Sequence, residues 1–187
     1  MRTLVGVTQI STAQLDSLRE GVEADLIVQA ARALPNVKGW LVRQLLPWTD
    51  LVIVSAGQAG ALTDYWGCGA LVASTALIYV PNTILPINRF VGIYGVAIRD
   101  TNPAVVKIIF QTGAGASTKA NWNIEHMYHL REPELVTPEY MFYAGQETIQ
   151  IQLIPDAVGK AVGADGVSDH VILTGLVCMP AGEIISF

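Results

Sequence analysis

Residues 147–180, "ETIQIQLIPDAVGKAVGADGVSDHVILTGLVCMP", contain two strand-like segments that decide the fold class. In the first segment, apolar residues alternate with threonine and glutamine from Thr148 to Leu153, which is the pattern of a strand with one buried face. The second segment is apolar at nearly every position from Val171 to Met179, which is typical of a strand buried on both faces. Such a strand predicts a core on one side and a second covering element on the other.

The rest of the chain from Leu51 onward shows the same strand-like character, interrupted by turn signals such as "DTNP", "GAGAST" and "REPELVTP". Many short strands at regular spacing favour a mainly β protein, an antiparallel jelly-roll sandwich or barrel that occupies residues 49–187. The predicted strands cover residues 51–56, 69–74, 76–80, 90–100, 104–112, 120–129, 139–144, 148–154, 170–179 and 183–187.

The first quarter of the chain is predicted to be helical. Ser11 and Gln14 have the spacing of a capping box, and apolar residues then recur every three or four positions as far as Ala30. Pro35 ends this helix, and residues 36–46 predict a second, shorter one. Residues 1–48 are therefore expected to form a helical arm, which either packs on its own domain or docks on a neighbouring subunit. Deletion of this arm is expected to leave a folded β domain.

The composition is unusually poor in charge for a soluble protein. Only 14% of the 187 residues are charged, against roughly 25% in ordinary domains, while 51% are hydrophobic and the mean hydropathy is +0.42. Because unpaired charges are costly to bury and so lie on the surface, much of this surface is expected to face other subunits. A neighbouring subunit is therefore favoured as the element that covers the strand at 171–179.

The charge balance and the terminal sequence also exclude some partners. The net charge of −5 and the scattered basic residues argue against nucleic-acid binding. The amino terminus has no secretory pattern, and the uncharged stretch at 65–88 is interrupted by Pro and Gly before it reaches the ~20 residues that a helical span requires. We therefore expect neither a nucleic-acid nor a membrane partner.

The histidines and cysteines give little support for catalysis or metal binding. On a strand, His126 and His129 would point to opposite faces, and His170 is the only other histidine. Cys68 and Cys178 lie far apart in apolar contexts, so two buried free thiols are expected. No metal, no cofactor and no catalytic residue is predicted.

The remaining polar motifs are also incomplete. Asp165 and Asp169 lack the ligand spacing of a calcium loop, and residues 111–118 have the glycines of a phosphate loop without its lysine. The carboxylates in the Pro- and Gly-rich loops are expected to be solvated, namely Glu132, Glu134, Glu139, Asp156, Asp165 and Asp169. Most aromatic residues are expected in the core, although Trp66 or Trp122 would be needed in a sugar-binding module.

The strands "YVPNTILPINRFVGIYGVAIRD" and "YAGQETIQIQLIPDA…SDHVILTGLVCMPAGEIISF" resemble the jelly-roll structural proteins of virus particles. The chain is most similar to the cement or decoration proteins on the heads of tailed bacteriophages, over residues 65–187. The resemblance implies a non-enzymatic protein, made in the host cytoplasm and located on the capsid surface. It also implies a homotrimer that contacts the major capsid protein and stabilises the head.

Three alternatives stay open. Within the same class, the chain could be a single-jelly-roll capsid protein that builds the shell itself. A trimeric glycan- or receptor-binding module is a second alternative, and it would gain thermal stability with its ligand. An enzyme with a cupin-like fold is disfavoured by the small number of histidines.

Overall fold

A computed structural model describes residues 4–47, 49–51, 66–100, 102–113, 117–130, 132–163 and 167–182, with only the backbone at His126, His129 and Leu130. The helices are α1 (Thr12–Ala33) and α2 (Glu125–Leu130), and a 3₁₀ turn at Val7–Gln9 precedes α1. The strands are β1 (Val5–Gly6), β2 (Trp40–Gln44), β3 (Leu71–Val72), β4 (Leu77–Ile84), β5 (Phe90–Ile98), β6 (Val105–Thr112), β7 (Ser117–Asn123), β8 (Glu134–Tyr143), β9 (Thr148–Pro155), β10 (Gly159–Lys160) and β11 (Val171–Pro180).

The eight longer strands pair in a nested order. In chain order these strands are β2, β4, β5, β6, β7, β8, β9 and β11. The first pairs with the last (β2 with β11), the second with the seventh (β4 with β9), the third with the sixth (β5 with β8), and the fourth with the fifth (β6 with β7). All four pairs are antiparallel. This nesting is the strand order of a jelly roll, so the predicted fold class is confirmed.

The strands form two main sheets that enclose the core. A five-stranded sheet has the order β1-β8-β5-β11-β2, and a four-stranded sheet has the order β4-β9-β6-β7. The main cluster of buried apolar side chains draws on both sheets, with Ile151 and Phe110 from the four-stranded sheet and Leu173, Val177 and Met179 from β11. The core therefore lies between the sheets, as in a sandwich.

Helix α1 covers the other face of the five-stranded sheet. Ser11 and Gln14 form the predicted capping box, and the helix buries Val22, Leu26 and Ala30. These side chains belong to a second apolar cluster, which includes Leu176 and Cys178 from β11. The second face of β11 is therefore covered by a helix of the same chain, and the expectation of a neighbouring subunit there is wrong.

The second predicted helix is wrong, because residues 40–44 form the edge strand β2. A short apolar run cannot be assigned to a helix or a strand from its sequence alone, and here pairing with β11 decides the outcome. Residues on both sides of position 48 contribute strands to the same five-stranded sheet. The division of the chain into 1–48 and 49–187 stays a prediction.

Two further boundaries differ from the prediction. The predicted strand at 120–129 stops at Asn123, whose side chain accepts a hydrogen bond from the backbone N–H of Glu125 at the start of α2. Conversely, residues 134–138 were expected to form a turn but belong to β8, where pairing with β5 overrides the local turn signal. The predicted strand at 183–187 lies outside the described residues, as does all but the first residue of the one at 51–56.

Candidate interaction surface

The β5–β6 and β10–β11 connections meet β10 at one end of the sandwich, around the buried carboxylate of Asp169. One oxygen of Asp169 accepts a hydrogen bond from the Lys160 amine at 2.6 Å, and the other accepts one from the backbone N–H of Ala104 at 2.8 Å. The Lys160 amine also lies 3.6 Å from Asp100, which accepts a hydrogen bond from the backbone N–H of His170. Burial raises the pKa of Asp169, although the bonds from Lys160 and Ala104 favour its charged form. This cluster fixes the loops to each other.

The same loop end contains Cys68, which is buried next to Ser168. The Cys68 thiol lies 3.4 Å from the Ser168 hydroxyl and donates to the backbone oxygen of Asp169 at 3.2 Å. Burial raises the pKa of the Cys68 thiol to about 11, because a thiolate is disfavoured away from water. The thiol is therefore protonated at neutral pH and is a poor nucleophile. Cys178 is also buried and free, as predicted.

The structure does not assemble a metal site from the described residues. His126 and His129 lie in α2, so the argument from strand alternation does not apply to them. Each oxygen of the Asp169 carboxylate accepts a hydrogen bond within the protein, one from Lys160 and one from Ala104. The expectation that loop carboxylates are solvated is wrong for Asp169 and for Glu132, which is buried and accepts a hydrogen bond from the backbone N–H of Thr8.

The two tryptophans considered for sugar binding lie in or against the core. Trp122 is fully buried, and its ring packs edge-on against Phe110 with a centroid distance of 4.6 Å. Trp66 is partly buried against the same cluster. Sugar stacking requires an open aromatic face, which Trp122 does not offer in this arrangement.

The four-stranded sheet has an outer face whose side chains belong to neither apolar cluster. Gln150 near its centre is buried, and the exposed side chains lie on the two edge strands, at Ile78, Ile84, Asn121 and Asn123. The residues of this face alternate along each strand with those of the core. We define the outer face by Ile78 and Ile84 from β4, Gln150, Gln152 and Ile154 from β9, Lys107, Ile109 and Gln111 from β6, and Asn121 and Asn123 from β7.

Strand register arranges the outer face in rows across the sheet. Gln152 pairs with Ile78 on one side and with Ile109 on the other, and Ile109 also pairs with Asn121. This row crosses all four strands and alternates apolar and amide side chains. Gln150 pairs with Gln111 in a neighbouring row. Ile84 at the edge is 68% exposed, which is a large apolar area to leave in water.

Charge is almost absent from these four strands. They contain two charged residues, Lys107 and Lys119. The Lys119 amine bonds to Glu147 and to the backbone oxygen of Phe142, and it lies 4.4 Å from the centre of the Tyr143 ring. Lys107 is therefore the single charge within the outer face as defined above. The sequence indicated the polar side of β9, but it did not show that β4, β6 and β7 extend this side into one surface.

A second exposed apolar surface lies on the two-stranded ribbon formed by β3 and β10 at the loop end. Val72, Val158 and Val162 are exposed there, and Val158 is 83% accessible. Gly159 pairs with Val72 and has a φ of +72°, and a side chain at this position would collide with the backbone of β3. We refer to β3, β10 and the flanking residues 157–162 as the apolar ribbon.

Comparison of the chain with protein-family models and with curated proteins found no match. Among the residues that the structure describes, no helix combines the length and the apolar character needed to cross a bilayer. The outer face and the apolar ribbon are therefore the features from which a function can be argued.

Proposed function

We propose that this chain is a non-enzymatic structural protein of a virus particle, a cement or decoration protein located on the capsid surface. Its partners in this proposal are its own copies, as a homotrimer, and the major capsid protein. The observation that carries the proposal is that five of the nine exposed large apolar side chains in the described part of the chain lie on two surfaces that are nearly free of charge, while Val28, Leu41, Leu46 and Ile87 lie elsewhere. The outer face presents Ile78 and Ile84, and the apolar ribbon presents Val72, Val158 and Val162.

The physical argument is that these two surfaces are costly to leave in water. Isolated exposed apolar residues are normal, whereas contiguous apolar patches mark contact sites. One sheet of the sandwich is already covered by α1 of the same chain, whereas within the described residues the outer face of the other sheet takes part in neither apolar cluster. Two separate contact surfaces on one rigid domain suit a protein that joins neighbours in a lattice, because each subunit must bind more than one partner.

The arrangement of the loop end supports the same role. A catalytic site needs a reactive nucleophile or polar groups available to a ligand, whereas here Asp169 and Lys160 bind each other and the Cys68 thiol is protonated. The groups at this end hold the ribbon in place, since Lys160 lies in β10 itself. We propose that the ribbon is the surface that meets the major capsid protein.

The test is binding of the purified chain to particles that lack it. Heads from which the chain has been removed or deleted are mixed with the recombinant protein, sedimented, and imaged by electron microscopy. We expect saturable co-sedimentation and ordered density on the head surface. V158K should abolish this binding without changing the melting temperature, because the Val158 side chain is almost fully exposed.

The matched control is V28K, which places the same charge at an exposed valine on α1, a helix that is not part of the apolar ribbon. V28K should bind as the wild type does. Absence of the chain from all particles, or equal binding by V158K and the wild type, would contradict the proposal. A chain that instead forms closed shells alone would identify the single-jelly-roll capsid protein.

A further inference from the structure

We propose that the outer face of the four-stranded sheet binds the same face of a second copy of this chain, about a two-fold axis close to Gln152 and Ile109. This inference deepens the proposed function, because it names the partner of one of the two surfaces. It rests on that function only for its biological role, since the contact itself can be tested on the purified chain.

The first argument is the chemistry of the row that crosses the sheet. Gln152 and Asn121 alternate in it with Ile78 and Ile109. A side-chain amide carries both hydrogen-bond donors and an acceptor, so amides can pair with amides of an identical face. Isoleucines that lie between the amides would be buried by the same approach. In a two-fold contact each surface must complement itself, and this composition meets that condition.

The second argument is charge. The chain has 16 acidic and 11 basic residues, so two copies carry the same net charge of −5 and contact is least opposed where the surface is uncharged. The outer face contains only Lys107. Lys107 lies two residues from Ile109, toward one end of β6, so a two-fold axis that runs across the strands through Gln152 and Ile109 would place the two lysines at opposite ends of the contact. The other residues of the outer face are uncharged, so a partner with a strongly charged surface would form no ion pairs with them.

The third argument is area. Four strands spaced ~4.8 Å apart, each with about seven residues that rise ~3.4 Å, give a face of roughly 500 Å². Two such faces would bury about 1,000 Å², which is the lower limit for a specific interface. A contact at this lower limit is expected to be weak and transient. Simultaneous contacts in a lattice would strengthen it by raising the effective concentration.

This two-fold contact differs from the threefold order that the proposed homotrimer requires. In a closed trimer each subunit uses two different patches, whereas the outer face would contact itself. If both contacts exist, the face-to-face contact joins one trimer to another. A trimer without any two-fold association would contradict the inference and leave the proposed function intact.

The experiment is sedimentation of charge variants at Gln152. Q152E places a negative charge beside the proposed axis, where the same charge from the second copy would face it. We expect the dissociation constant of the two-fold contact to rise about tenfold or more, because like charges in an interface are strongly unfavourable. Q152K should have the same effect. An equimolar mixture of Q152E and Q152K should recover the association, since opposite charges then face each other.

The control is Q44E, which makes the same chemical change at an exposed position on β2 in the other sheet. Q44E should associate as the wild type does, and circular dichroism should show that all variants are folded. The inference is overturned if the wild type shows no two-fold association at the highest concentration at which it stays in solution, if Q152E and Q44E behave alike, or if mixing the two Gln152 variants restores nothing. Capsid binding, measured separately through Val158, reports on the proposed function.

Discussion

Substitution of Leu26 in α1 tests whether this helix stabilises the sheet of its own chain. Leu26 is 0% exposed, and it packs so closely on β5 that a β-carbon at Gly92 would lie 3.1 Å from its methyl group. L26A removes three buried carbons and leaves a cavity over the sheet. Buried Leu→Ala changes lower the free energy of unfolding by about 2–5 kcal/mol. Because Leu26 is completely buried, we expect a loss of about 3 kcal/mol. V28A, at a position 44% exposed on the same helix, should cost no more than about 0.5 kcal/mol.

Urea denaturation, followed by circular dichroism, measures both variants. With a slope of about 2 kcal/mol per molar urea, L26A should lower the midpoint by roughly 1.5 M. The experiment is performed at about 1 µM, so that a weak face-to-face contact contributes little to the measured stability. Equal midpoints for L26A and V28A would refute the reasoning. That result would mean that α1 contributes little to the fold and is free to dock elsewhere.

The structure also changes the expected result of deleting residues 1–48. This deletion removes α1 and β2 together, which exposes Leu176 and Cys178 and leaves β11 without its edge partner. We therefore expect the truncated chain to be unfolded, in contrast to the folded β domain expected from the sequence. A cooperative melting transition in the truncated chain would show that the arm is dispensable.

Three further predictions concern the ionic and thiol groups. K160M should destabilise the chain by about 3–5 kcal/mol at pH 7, because it leaves the buried Asp169 carboxylate without its cation. The double variant with K160M and D169N should recover part of this loss when both are measured by urea titration. Cys68 and Cys178, each with a pKa raised to about 11 by burial, should react slowly with a thiol reagent in the folded chain and give two equivalents in denaturant; fast reaction of either in the native state would contradict this. Burial alone raises the pKa of Glu147, but hydrogen bonds outweigh it and lower the pKa below the ordinary 4.5. Glu147 thus stabilises the fold fully above pH 4.5 and progressively less as the pH falls through the pKa that Glu147 has in the folded chain. E147Q should therefore lower the free energy of unfolding by up to about 1 kcal/mol at pH 7, and the difference in stability between E147Q and the wild type should shrink in acid. A difference in stability that grows in acid would refute this.

The sequence by itself determined the elements whose signals are local. The capping box at Ser11 and Gln14 and the three- and four-residue spacing of apolar side chains fixed α1. Strict alternation fixed β9, and the run from Val171 to Met179 fixed β11 as a strand buried on both faces. Each of these patterns is complete within about twenty residues, because it depends on the period of one helix or strand.

Only the tertiary structure decided how distant segments meet. Residues 40–44 became a strand through pairing with β11, more than 130 positions away in the chain, which no local pattern encodes. The element that covers β11 proved to be α1, although composition favoured a neighbouring subunit. The sequence gives charge as a chain average, whereas the fold places the charges. It buries Asp169 against Lys160, and it gathers uncharged residues of four separate strands into one outer face.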